Sequence, residues 1–157
     1  MILRTSYFNQ LLQLRDQDLI KVVTGIRRCG KSTLLHAFKQ HLLTDGVAAD
    51  AICFLNFEER ENAHFQSWEQ VYDFIIGNLS AAAKRYVFLD EVQLIPQFEK
   101  LVDALYVKKD LDLYITGSNA YLLSSELSTM LSGRYIAINL HPFSFAAYVT
   151  AFPEASD

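Results

Sequence analysis

Cysteine is scarce: Cys29 and Cys53 are the only two in 157 residues. That is too few for a disulfide framework, and reduced thiols in a cytoplasmic protein are the expectation. Long apolar runs are missing as well. No stretch reaches the roughly 18 apolar residues of a membrane-spanning helix, so no membrane partner is expected. The N-terminus, Met1-Ile2-Leu3-Arg4-Thr5, has no signal-peptide apolar core. Basic charge is not in excess. The net charge of −4 leaves the whole chain without an electrostatic footprint for nucleic acid. The pairs Lys84-Arg85 and Lys108-Lys109 read as solvated helix or turn residues. His36, His41, His64 and His141 stand without a cysteine or carboxylate cluster at ligand spacing, so no protein-held zinc is expected. There is no internal repeat, low-complexity stretch or linker.

What is present is apolar residue, at 51%, in a chain long enough for one domain with a core across residues 1–157. The patterning predicts a short amphipathic helix over 5–15, with Tyr7, Leu11, Leu12 and Leu14 inward. A strand follows at 20–24, then a helix to about Leu43, stopped by Thr44-Asp45-Gly46. Further strands are expected at 51–57, 86–90, 111–116 and 135–140. Helices are expected at 67–79, 96–108 and 120–130. Trp68 and Cys53 read as packing residues. Strands alternating with helices predict an α/β fold, with a parallel sheet covered on both faces. A ligand then belongs outside the carboxyl ends of the strands.

The most informative segment follows the first strand. Gly25-Ile26-Arg27-Arg28-Cys29-Gly30-Lys31-Ser32 is G-x-x-x-x-G-K-S, the phosphate-binding P-loop. Its glycines let backbone N–H groups turn inward around a phosphate chain. Lys31 can reach the β- and γ-phosphates, and the Ser32 hydroxyl can ligate Mg²⁺. A strand before it and a helix after it aim the helix dipole at the anion. Gly25, Arg28, Cys29, Gly30, Lys31, Ser32 and Thr33 are therefore the candidate phosphate-binding residues. Cys29 reads either as a small residue that fits the loop or as a thiol acidified by a helix N-terminus.

The strand at 86–90 ends in Asp90-Glu91, a Walker B pattern. Asp90 is placed to support Mg²⁺ through water, and Glu91 to polarise the water that attacks a γ-phosphate. One strand and one helix intervene between it and the P-loop. That order suits P-loop ATPases with an extra central strand and not simple nucleotide kinases. The next strand ends in Thr116-Gly117-Ser118-Asn119. There Ser118 or Asn119 could meet the γ-phosphate, cap the following helix, or do both. Asn56, at another strand end, could restrain the glutamate or hydrogen-bond within its own loop. Arg134, after Gly133, could neutralise phosphoryl charge or pair with the protein's own acids.

The ordered series resembles the prokaryotic AAA-like ATPases of the archaeal-type, STAND-related group. It runs through the P-loop, Phe54-Leu55-Asn56-Phe57-Glu58, Phe88-Leu89-Asp90-Glu91-Val92-Gln93, Thr116-Gly117-Ser118-Asn119 and Ser132-Gly133-Arg134-Tyr135. It closes on His141-Pro142-Phe143-Ser144-Phe145. The likeness extends from about residue 18 to 148. It implies a three-layer AAA-type P-loop NTPase with five parallel strands in the order 5-1-4-3-2. It further implies ATP and Mg²⁺ as cofactors, ADP as product, and a sensor-1 role for Asn119 or Ser118. Arg134 would act in cis or toward a neighbour in a homo-oligomer.

Members of that group usually continue into a helical or winged-helix region, often with a nuclease-like domain. The expectation is therefore an ATPase core lacking a lid and effector domain, either as part of a longer protein or as a reduced form. Nucleic acid would be reached only through such further domains. The leading function is slow Mg²⁺-dependent ATP hydrolysis coupled to a partner or effector domain. A non-catalytic nucleotide switch is the alternative, and a small-molecule kinase the third reading.

Overall fold

The computed structural model describes residues 2–25, 30–118, 122, 128–129, 131 and 133–140, with side chains from residue 6 onward. Four helices and five strands are defined among them: α1 (Ile2–Leu14), β1 (Ile20–Thr24), α2 (Lys31–Thr44), β2 (Ile52–Asn56), α3 (Trp68–Asn78), β3 (Arg85–Asp90), α4 (Phe98–Tyr106), β4 (Leu111–Gly117) and β5 (Tyr135–Asn139). The strands form one sheet in the order β2-β3-β4-β1-β5, every neighbouring pair parallel. Read from the other edge, this is the expected 5-1-4-3-2.

Burial follows strand position. Every residue of β1 and β4 is buried, whereas the edge strands β2 and β5 are buried only in part. A parallel sheet covered on both faces requires such apolar runs in its central strands. Alternation then divides the core. On one face Val87 and Leu89 of β3 pack with Val71 and Ile75 of α3 and with Leu101, Val102 and Leu105 of α4. On the other, Tyr86 and Phe88 meet Leu34, Leu35, Phe38 and Leu42 of α2. Leu11 of α1 is fully buried there, with Tyr7, Phe8, Leu12 and Leu14 packed around it. Cys53 is buried, and Trp68 packs against the α3–α4 side.

Three boundaries differ from the sequence expectation by two residues or more. The first helix starts at Ile2 instead of about residue 5. The helix expected at 96–108 begins at Phe98, two residues after Pro96. Proline disfavours helical geometry in the residue before it, and Ile95 is extended (φ −91°, ψ 126°). Gln97 is left-handed (φ 57°) and starts the helix. The helix then ends at Tyr106, before Lys108. The helix expected at 120–130 and the segment from His141 onward lie largely or wholly outside the described residues. No helix among the described residues is long and apolar enough to cross a membrane.

A buried polar network holds the amino end of the sheet. Lys21 Nζ lies 2.5 Å from Asp112 Oδ1, and neither side chain is exposed. Tyr114 O–H and the Asp16 N–H both donate to Asp112 Oδ2, at 2.8 and 2.9 Å. Tyr86 O–H donates to Asp16 Oδ1 at 2.8 Å, and Arg15 reaches Tyr86 and Asp45. Burial pulls the Lys21 ammonium below the usual lysine range, and the Asp112 carboxylate opposes that shift. Burial also pushes the Tyr86 phenol up to about 12. The network joins the turn after α1 to β1, β3 and β4.

Removing one member of a buried charge pair leaves the other without compensation, at a cost of about 3–5 kcal/mol. Lys21→Met is therefore expected to lower the urea midpoint by a corresponding amount. The denaturant slope should not change, because the surface exposed on unfolding is the same.

Candidate nucleotide-binding site

The register sets which strand ends meet. β4 lies between β1 and β3, with Thr24 opposite Gly117 and Leu89 opposite Ile115. The P-loop leaves β1 and the acidic pair leaves β3, so both stand beside the end of β4.

Gly25 and Gly30 bracket the loop with positive φ, 154° and 95°. These are backbone angles that a side chain would strain. Gly30 starts α2 with no side-chain cap and no acidic residue in the first turn. The helix N-terminus thus keeps its positive end directed at the loop. Lys31 is 4% exposed; its Nζ donates to the Gly25 carbonyl at 3.0 Å and stands 3.8 Å from Glu91 Oε2. Ser32 is half-buried and Thr33 exposed. Arg28 and Cys29 lie outside the described residues.

Asp90 is 1% exposed. Thr116 Oγ1 donates to its Oδ1. Its Oδ2 is buried with no hydrogen-bond partner among the described residues. A buried anionic oxygen left unpaired is costly, and a hard cation is the chemistry that offsets it. The donor set therefore fits Mg²⁺, with Asp90 and the Ser32 hydroxyl on the protein side and phosphates supplying the rest. No cluster of three or more His, Cys, Asp or Glu suited to a metal occurs among the described residues.

Glu91 adopts a left-handed backbone (φ 56°, ψ 50°), at a cost of about 1–2 kcal/mol for a residue with a Cβ. Two contacts hold it there. Its N–H donates to Thr116 Oγ1 at 2.9 Å. Its Oε1 accepts from Gln93 Nε2 at 2.8 Å. Gln93 runs past the end of β4, where Gly117 leaves space. A Cβ on Gly117 would lie 2.5 Å from Gln93 Oε1 and 2.8 Å from Leu122 Cδ1.

Thr116 and Gln93 were absent from the sequence candidates, although both touch the acidic pair. A hydroxyl in an otherwise apolar, fully buried strand end was the available signal for Thr116. Gln93 had none beyond its place in the Asp-Glu-Val-Gln run.

The remaining candidates divide. Ser118 is half-buried, and its carbonyl accepts from Leu122 N at 3.0 Å. Asn119 lies outside the described residues. Asn56 Oδ1 accepts from Glu58 N at 2.9 Å, and Asn62 donates to the Asn56 carbonyl. Of its two readings, the loop hydrogen bond is the one present.

Arg134 stands apart from the P-loop and the acidic pair. It precedes β5, its carbonyl accepts from Ile20 N, and Tyr135 is in register with Ile20 at the start of β1. The nucleotide-facing end of β1 is Thr24, about 13 Å further along at 3.3 Å per residue. Arg134 Nη1 pairs with Asp103 Oδ1 at 3.1 Å, and its guanidinium lies over Tyr106, 5.3 Å from the ring centroid. It sits at the amino end of the sheet, opposite the P-loop end, so of its two readings the pairing with the protein's own acids is the one present. A residue before a parallel strand enters at the end opposite the site.

The match of a family model described as an AAA domain to residues 17–149 decides the family. The chain belongs to the AAA domain family. Two curated relatives bear the name uncharacterized protein. One, from Haemophilus influenzae, is 42% identical over 152 residues, covering 96% of this chain and 38% of the relative. The other, MJ1544 of Methanocaldococcus jannaschii, is 28% identical over 131 residues, covering 83% and 28%. The chain thus spans well under half the length of these relatives.

Solved structures share the fold. Saccharomyces cerevisiae RIF2 aligns with a TM-score of 0.60 at 11% identity, over 95% of this chain and 59% of that one. Drosophila ORC bound to AT-rich DNA and Cdc6 aligns at 0.56 and 12%, over 91% and 57%. Caenorhabditis elegans PCH-2 aligns at 0.54 and 18%, over 96% and 46%. This AAA domain is accordingly a nucleotide-binding, ATPase-like α/β module.

Thr116→Val keeps the shape of the side chain but removes both hydrogen bonds of its hydroxyl. It should destabilise the domain by about 1–3 kcal/mol, the cost of unpaired buried polar groups. Thermal and urea melts of the variant and parent would check this.

Proposed function

We propose that this chain is the ATP-binding core of a Mg²⁺-dependent ATP hydrolase. The observation that carries the reading is the buried Asp90 Oδ2, without a partner among the described residues and adjacent in sequence to a glutamate 3.8 Å from the P-loop lysine. Gly25, Arg28, Cys29, Gly30, Lys31, Ser32 and Thr33 would hold the phosphates. Ser32 and Asp90 would hold Mg²⁺, which supplies neutralisation of phosphate charge. Glu91 orients the attacking water and accepts its proton in part. Ser118 and Asn119 would report the presence of the γ-phosphate. Arg134 is out of reach of its own nucleotide. Action on a neighbouring subunit would require Asp103 to release it.

The share of the relatives' length left uncovered favours coupling to further domains of a longer protein. A non-catalytic nucleotide switch is the second reading. The 3.8 Å approach of Lys31 to Glu91 favours it, because a glutamate engaged with the P-loop lysine is not free to orient water.

Lys31→Ala should abolish nucleotide binding without unfolding the domain. Calorimetry of the parent should give micromolar-class ATP affinity, about −8 kcal/mol, and equal affinity in the variant would remove the P-loop assignment.

Glu91→Gln preserves size and the contact to Gln93 but removes the charge. ATP should bind as in the parent, while phosphate release falls by about 10²–10⁴-fold. Parental turnover in this variant would assign the hydrolysis elsewhere. ATP retained by the parent with no phosphate release would favour the switch.

A further inference from the structure

We propose that Gln93 is the positioning residue for Glu91, a role that rests on Glu91 being the water-orienting group. Four observations converge on it. The amide donates to Glu91 Oε1 at 2.8 Å, which leaves Oε2 as the oxygen on the Lys31 side. A carboxylate is acceptor-only, so this bond fixes which end of the Gln93 amide faces it.

The same bond turns Gln93 Oε1 inward, where it is buried with no partner among the described residues. An apolar side chain of the same length would avoid that cost. The glutamine therefore does not serve stability at this position, and its amide N–H₂ is what the site uses.

The third observation is space. Gly117 has no Cβ at the point where Gln93 Oε1 passes, and any larger residue would have to displace it. The end of β4 is thus shaped around this side chain. The fourth is the backbone. Glu91 is left-handed and Gln93 lies two residues on, inside the short 3₁₀ turn Val92–Leu94. The turn carries the Gln93 amide back onto the side chain of the residue that precedes the turn. A donor at one carboxylate oxygen restricts rotation of the group and directs the other oxygen. That is the requirement for aligning water with a phosphoryl group.

The test compares Gln93→Met, Gln93→Glu and Glu91→Gln with the parent chain, using Mg²⁺ and ATP. Gln93→Met keeps length and removes the donor. Its turnover should fall about tenfold, with ATP affinity by calorimetry within twofold of parent and a melting temperature not below it. Gln93→Glu puts a second carboxylate where the donor was, so its turnover should fall further with ATP still bound.

Parental turnover in Gln93→Met, beside a Glu91→Gln variant that has lost turnover, would overturn the positioning role and leave Glu91 in place. A loss that tracks a lowered melting temperature or weakened ATP binding would make Gln93 a structural residue and overturn it too. Faster turnover in Gln93→Met would mean that the amide restrains Glu91, which also overturns it. Parental turnover in Glu91→Gln would overturn the Glu91 reading itself, and this one with it.

Discussion

One hydroxyl sets the geometry at the carboxyl end of the sheet. Thr116 Oγ1 donates to Asp90 Oδ1 and accepts from the Glu91 N–H, so a single atom joins the end of β4 to the turn leaving β3. Its proton can go only to the carboxylate, because the amide already donates to it. That arrangement fixes which Asp90 oxygen is occupied and which is left over. It also holds Glu91 in a backbone conformation that the chain would not otherwise favour. The acidic pair is therefore positioned from the neighbouring strand, and the parallel register of β3 on β4 brings the hydroxyl there.

The two ends of the sheet divide stability from chemistry. At the amino end, Lys21, Asp112, Tyr114, Tyr86 and Asp16 form a network in which charges and hydroxyls find partners. Buried ion pairs are seldom a net source of stability against apolar replacements, though they do specify one arrangement. Here that arrangement ties the turn after α1 to three strands. At the carboxyl end the pattern reverses. Asp90 Oδ2 and Gln93 Oε1 are buried without partners among the described residues, and Glu91 is strained. Unsatisfied groups and strain gathered at one sheet edge are a physical mark of a site built to receive something else.

Much of this was legible from residue order. The run Ile20–Thr24 between polar segments gave β1 at the residues observed, and the alternation of strands and helices fixed a parallel sheet. The P-loop and the acidic pair carry chemistry in contiguous residues, so the sequence displays them directly. What escaped was set by contacts between distant segments. The importance of Thr116 follows from its contact with Asp90, 26 residues away, and that of Gln93 from a glycine on another strand. Pro96 suits a first helical residue, but its constraint on Ile95 keeps the chain extended and α4 starts two residues later. The choice between the two readings of Arg134 depends on the direction of β5, which enters the sheet at the end opposite the P-loop.

Strand direction has a further consequence for how this domain can work. Arg134, Asp103 and Tyr106 form an ion pair and a cation–π contact at the amino end of β5. Lys31, Asp90 and Glu91 stand at the other end of the same sheet. Central strands buried on both faces are rigid, so a change at the carboxyl edge cannot reach the amino edge by bending them. Coupling between the two would have to run around the sheet, through the segments that join strands to helices. The turn Glu91–Ile95 into α4 is one such route, since it begins at the glutamate and α4 carries both Asp103 and Tyr106. A side chain at the nucleotide end and a surface at the opposite end are thereby connected by about 15 consecutive residues, without any movement of the core strands.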